Sequence, residues 1–75
     1  MNIIIFGQLT DITGVQNLVV SDVNDTNQLI AKLNGMFPGI AGAKFVIAVD
    51  KKVVSENTIL KNNSTIALLP PFSGG

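Results

Sequence analysis

The sequence closes on Pro70-Pro71-Phe72-Ser73-Gly74-Gly75, directly after an apolar run from Thr65 to Leu69. The most chemically addressable group is then a carboxylate on Gly75. Glycine has no Cβ to shield its carbonyl, and Gly74 admits backbone angles closed to other residues. The pair suits a narrow enzyme channel. Pro70 and Pro71 lack amide donors and cannot continue a central strand, so pairing is expected to stop there and leave the rest extended. Stretched out, six residues reach roughly 20 Å at ~3.3 Å each. A free α-carboxylate is ionised at neutral pH and inert toward nucleophiles, so any chemistry at Gly75 begins with activation by a partner. A Gly-Gly ending by itself also fits a floppy terminus. Its weight depends on what precedes it.

The rest of the chain offers little chemistry of its own. Among 75 residues there is no cysteine, which excludes disulfides, thiolate metal sites and cysteine nucleophiles. There is no histidine either, which removes the usual neutral-pH acid–base group and the commonest metal ligand. Five carboxylates (Asp11, Asp22, Asp25, Asp50, Glu56) and five lysines are scattered along the sequence. No metal or cofactor is expected to be bound by this chain, and an autonomous enzyme is not expected. With zero net charge and no basic stretch longer than Lys51-Lys52, nucleic acid is a poor partner. The apolar content of 47% is high for so small a domain, yet no run approaches the ~18 residues of a membrane span. Such an excess points to an association surface. The opening Ile3-Ile4-Ile5-Phe6 is too short for a signal-peptide core and follows no basic residue, so a cytoplasmic protein is expected.

The elements that would position the tail follow from changes of period. Asn2 to Gln8 reads as a buried strand and Gln16 to Ser21 as a more alternating one, with Leu18 and Val20 on one face and a turn at Asp11 to Gly14 between them. Asp25 followed by Gln28 has the form of a capping box, after which Leu29, Ile30, Leu33 and Met36 or Phe37 recur at helical spacing. Gly35, Pro38 and Gly39 are expected to stop that helix, and Ile40 to Ala43 to form an irregular or short helical connection. Lys44 to Val49 reads as a third strand. A turn at Asp50-Lys51-Lys52 leads to a short strand at Val53-Val54, and a turn at Lys61 to Ser64 leads to the closing strand. The order is β-β-α-β-β-β. The first and last strands are the most continuously apolar, which predicts central parallel neighbours. The fold class is α+β: a β-grasp, or ubiquitin-like, mixed sheet with one main amphipathic helix packed across it, comprising residues 1–69 with an extended tail at 70–75.

Three segments resemble the small subunits of molybdopterin synthase, the MoaD type of sulfur carrier. Ile5-Phe6-Gly7-Gln8-Leu9 is similar to that family's N-terminal strand, which ends Phe-small-Gln-aliphatic. Ile47-Ala48-Val49-Asp50-Lys51-Lys52-Val53-Val54 is similar to its Ala-Val-Asn turn and aliphatic pair. Ala67-Leu68-Leu69-Pro70-Pro71-Phe72-Ser73-Gly74-Gly75 resembles its apolar strand, Pro-Pro, one apolar residue, Ser or Thr, and Gly-Gly, and is the most specific of the three. The likeness departs at Thr10, where many members have arginine, at Leu68-Leu69, where an aromatic pair is common, and at Asn62-Asn63, where the turn is often Asp-Gly. Thiamine-pathway sulfur carriers share the fold and the Gly-Gly but usually lack the Pro-Pro.

The resemblance implies a carrier whose Gly75 is adenylated by an ATP- and magnesium-using partner of the ubiquitin-activating type. A sulfur donor protein then converts it to a thiocarboxylate. Inserted into the large synthase subunit, this sulfur would go to a cyclic pyranopterin. Gly75 and Gly74 are the reactive end and its access, while Pro70, Pro71, Phe72, Ser73, Phe6 and Leu68 are the expected partner contacts. Phe72 is read as an interface anchor, against the alternative of folding back on its own core. Phe6 and Leu68 are read as an exposed docking face, against ordinary core packing. Lys51-Lys52 reads as a solvated turn, and Gly7 and Gly14 as a bulge and a turn. A protein modifier joined through Gly75 to lysines, a thiamine-type sulfur carrier and a passive β-grasp interaction module are the competing readings.

Overall fold

Three long-range pairings fix the sheet. In the computed structural model, which describes residues 1–71, the strands are β1 (Asn2–Ile5), β2 (Asn17–Val19), β3 (Val46–Val49), β4 (Lys52–Val54) and β5 (Thr65–Leu69). They form one sheet in the order β2-β1-β5-β3-β4, with β1 and β5 parallel and the other neighbours antiparallel. The closing strand is therefore central, flanked by β1 and β3. This is the mixed sheet with a packed helix expected of a β-grasp domain.

The helix across the sheet is α2 (Thr26–Met36), which follows the short helix α1 (Leu9–Thr13). Asp25 caps α2, its Oδ1 accepting from the Gln28 amide at 2.8 Å. The reciprocal half of the box is displaced by one residue, because Gln28 Oε1 accepts from Asn24 N rather than from the cap residue. Leu29 and Leu33 are fully buried and Ile30 packs beside them, so the predicted helix face holds. Gly35 lies inside the helix instead of ending it. The chain leaves at Phe37 into a 3-10 turn, Pro38–Gly42, whose Ile40 plugs the core.

Two expectations along the first forty residues need correction. The first strand ends at Ile5, short of Gln8, and the expected turn at Asp11 to Gly14 is largely the helix α1. The reason is local: Gly7 adopts φ +60, which turns the chain out of the sheet, and Gly14 at φ +74 is the left-handed C-cap that ends one and a half turns later. Between them Leu9 and Thr13, four apart, both point inward. The second strand is likewise trimmed, although Leu18 and Val20 do share the core side.

Between β3 and β4 the two-residue loop Asp50-Lys51 has both φ values positive, 48° and 72°, as a type I′ hairpin requires. Asp50 does more than turn the chain. Its amide donates to Thr65 O and its Oδ1 accepts from Thr65 N, each at 2.9 Å. The start of β5 is thereby tied to the β3–β4 turn.

Candidate functional site

The two faces of the sheet follow from the register. Ile3 and Ile5 of β1, Ile66 and Leu68 of β5, and Ile47 of β3 face α2 and are buried. The alternate residues face away. Across that open side one row runs Asn17, Ile4, Ala67, Ala48, Val53, and the next, nearer the end of β5, brings Leu69 beside Val46. Phe6 continues the alternation of β1 and is 44% exposed. At the other end the row is Val19, Asn2, Thr65. The open face thus grows more apolar toward the point where the tail leaves, and none of its strand positions is charged.

This arrangement corrects one of the expected contacts. Leu68 is 0% exposed and belongs to the core cluster, so it cannot meet a partner without unfolding the sheet. Side chains alternate strictly along a strand, and Leu68 pairs with Ile5 and Ile47 on the helix side. Leu69 takes the place on the open face that Leu68 was expected to hold. Phe6 is exposed as anticipated. Sequence reasoning passed over Ile4, Val46, Ala67, Leu69 and Val53. The signal was present in the alternation of Thr65, Ala67 and Leu69 against Ile66 and Leu68, but it can be used only once the pairing partners are known.

The root of the tail is firmly placed. Phe6 N donates to Leu68 O at 3.0 Å as the last main-chain link between β1 and the end of β5. Pro70 and Pro71 lie outside the strand, as their missing amides demand. Pro71 borders a groove formed with Leu9, Ile12, Ala43 and Lys44, beside α1. A second cleft, beside Phe6, is lined by Ile4, Thr10, Gln16 and Asn17. Phe72, Ser73, Gly74 and Gly75 lie outside the described residues. Among the described residues, no three Asp or Glu side chains gather as a metal site, and no helix is long and apolar enough to cross a membrane. Lys51 and Lys52 sit at the hairpin, both exposed.

What this geometry offers among the described residues is a platform. A central strand held on both sides delivers a proline-rich root at a fixed place, next to an uncharged apolar face. Comparison with known proteins places the chain beside the following relatives. Residues 3–75 match the ThiS family. The chain is 30% identical over 80 residues to the molybdopterin synthase sulfur carrier subunit of Dictyostelium discoideum, covering 97% of this chain and 93% of that protein. Among solved structures, it superimposes on one chain of the complex of subunits 1 and 2 of the molybdopterin-converting factor from Helicobacter pylori with a TM-score of 0.71 at 28% identity, covering 99% of this chain and 96% of that one. The small archaeal modifier protein 1 of Methanosarcina acetivorans shares the fold, with a TM-score of 0.81 at 19% identity over 99% of this chain and 94% of that one.

Proposed function

The chain belongs to the ThiS family, and from that premise we propose that it is the sulfur carrier, the small subunit, of a molybdopterin synthase. The observation that carries this reading is the 30% identity, over nearly the full length of both chains, to the Dictyostelium sulfur carrier subunit. The family match also includes Gly74 and Gly75.

The chemistry runs through Gly75. Its carboxylate attacks the α-phosphorus of ATP on an adenylating partner, releasing pyrophosphate and leaving an acyl-adenylate. The terminal sulfur of a donor protein's persulfide then displaces AMP, and a thiol reductant cleaves the resulting acyl disulfide to release the thiocarboxylate and the donor's thiol. Magnesium, ATP and the acid–base groups belong to those partners. The loaded tail enters the large synthase subunit, where the sulfur attacks a cyclic pyranopterin, and two carriers are consumed for each dithiolene. Water hydrolyses each thioester so formed, leaving the sulfur on the pterin and returning the carrier as the carboxylate. The role of this chain is to supply and aim the acyl group, with Gly74 keeping the approach narrow.

Docking on the large subunit uses the open sheet face around Phe6, Leu69, Ala67 and Val53, with the tail from Pro70 to Gly75 inserted and Phe72 as its anchor. Such a face suits a partner, because a contiguous exposed apolar patch rimmed by polar residues is typical of interaction sites.

The deciding experiment incubates the chain with its cognate activating enzyme, ATP and a sulfur source, and follows adenylate and thiocarboxylate by mass. Wild type is expected to form both. A variant with one residue appended after Gly75, verified as unprocessed, is expected to form neither, since the carboxylate is then moved and given a side chain. Full sulfuration by the extended variant would remove Gly75 from the mechanism. Isopeptide adducts to lysines, with no thiocarboxylate, would favour the modifier reading.

A further inference from the structure

A tail whose end must find a narrow channel needs a defined root, and Pro70 at that root meets a residue from the opposite end of the chain. Gly7 lies just after the last β1–β5 hydrogen bond, at φ +60. Its carbonyl is held twice by Thr10, from the amide at 3.1 Å and from Oγ1 at 2.8 Å. The position where a Cβ would stand is occupied: it would fall 2.8 Å from Pro70 Cγ and 3.5 Å from Pro70 Cδ. The first of these is closer than real Cβ atoms approach, so any side chain at Gly7 displaces the ring or the turn. The next residue, Pro71, borders the groove beside α1. Both prolines of the root are therefore seated against the β1–α1 segment, one on a glycine and one along a short helix.

Gly14 supplies the contrast. It has a similar backbone angle, φ +74, yet a Cβ there would meet nothing within 4 Å. The left-handed angle accounts for both glycines, but only Gly7 also carries the tail root.

We propose that Gly7 is a positioning residue for the sulfur-carrying tail: the absence of its side chain seats the Pro70 ring and thereby fixes the direction in which residues beyond Pro71 leave the domain. The inference rests on the sulfur-carrier reading for its kinetic consequence, but not for its geometry. A misplacement of about 1 Å at a reacting group costs up to about a hundredfold in rate, so a shifted root is expected to be felt at the far end.

The test has two arms. The chain has no cysteine, so Ala31→Cys on α2 and Ser73→Cys on the tail provide a unique pair of sites for spin labels. Gly7→Ala is expected to shift or broaden the distance distribution between them, and Gly14→Ala, which imposes similar backbone strain, to leave it unchanged. In the second arm, kcat/KM for thiocarboxylate formation by the activating enzyme is expected to fall about tenfold or more in Gly7→Ala but not in Gly14→Ala. The double variant Gly7→Ala/Pro70→Ala is expected to lose no more than Pro70→Ala alone, because the clashing ring is gone. Should Gly7→Ala not fold, Pro70→Ala gives the same arm: loss of the ring is expected to broaden the distribution. Unchanged distances in folded Gly7→Ala, or losses that simply add in the double variant, would overturn the proposal. A wild-type chain that forms no thiocarboxylate would instead sink the sulfur-carrier reading, with the distance arm still deciding the geometry.

Discussion

Leu68 and Leu69 are chemically identical neighbours in one strand, and the sheet gives them opposite tasks. Leu68 lies at zero exposure against Ile5 and Ile47 beneath the helix, while Leu69 is half-buried beside Val46 on the side that no element among the described residues covers. The covered face holds the domain together, and the open face is the one proposed to meet the large subunit. In so small a domain, where only about 60% of the unfolded surface is buried, an apolar face kept free is a large sacrifice of core. The difference teaches that the 47% apolar content is divided between a buried and an open face, and that the division follows a two-residue period.

The strongest way to break this comparison is to truncate the covered side. Leu68→Ala and Leu33→Ala are each expected to destabilise by about 2–5 kcal/mol, since both side chains are fully buried. Leu69→Ala is expected to cost only roughly 1 kcal/mol, as part of its surface is already in water. Urea midpoints of the three variants check this, and equal losses at Leu68 and Leu69 would erase the distinction between the faces.

The complementary perturbation reverses the outcome. Val53 is 60% exposed on the open side of the edge strand β4, so Val53→Asp is expected to change stability by about 0.5 kcal/mol or little more. Binding to the large synthase subunit is expected to weaken clearly, as is binding by Phe6→Ala. Because the strand positions of this face carry no charge, wild-type affinity is expected to vary little with salt. Titration calorimetry at low and high ionic strength measures both effects, and a steep salt dependence would place the interface on the lysine-bearing edges instead.

The smallest expected effect sharpens the account of α2. Gly35 lies in the last turn of the helix, and a Cβ there would meet nothing within 4 Å. Gly35→Ala is expected to raise stability by about 0.5–1 kcal/mol through the lower entropy of the unfolded chain, without touching the open face. A rise in Tm with unchanged partner affinity is the predicted pair of results.

Much of this architecture was legible from residue order. The Asp25–Gln28 cap and the Leu29, Ile30, Leu33 spacing marked α2 because a long periodic segment carries its own signal. The continuous apolar runs marked β1 and β5 as central partners. The helix α1 was not legible, since five residues are too few to show a period and its glycine boundaries read equally well as a turn. In β5, every residue from Ile66 to Leu69 is apolar, so nothing in the strand itself says which side is covered. That information resides in the pairing with β1 and β3. The seat of Pro70 on Gly7 joins opposite ends of the chain and has no local signature at all.

The central claim is that this domain delivers sulfur from Gly75, and single-turnover transfer tests it most directly. Carrier loaded beforehand as the thiocarboxylate, freed of ATP and activating enzyme, is mixed with the large synthase subunit and the cyclic pyranopterin. The account predicts formation of the dithiolene with two carriers returned as carboxylate for each product. Loaded carrier that keeps its sulfur, or that becomes joined to lysines while the pterin stays unchanged, would contradict it.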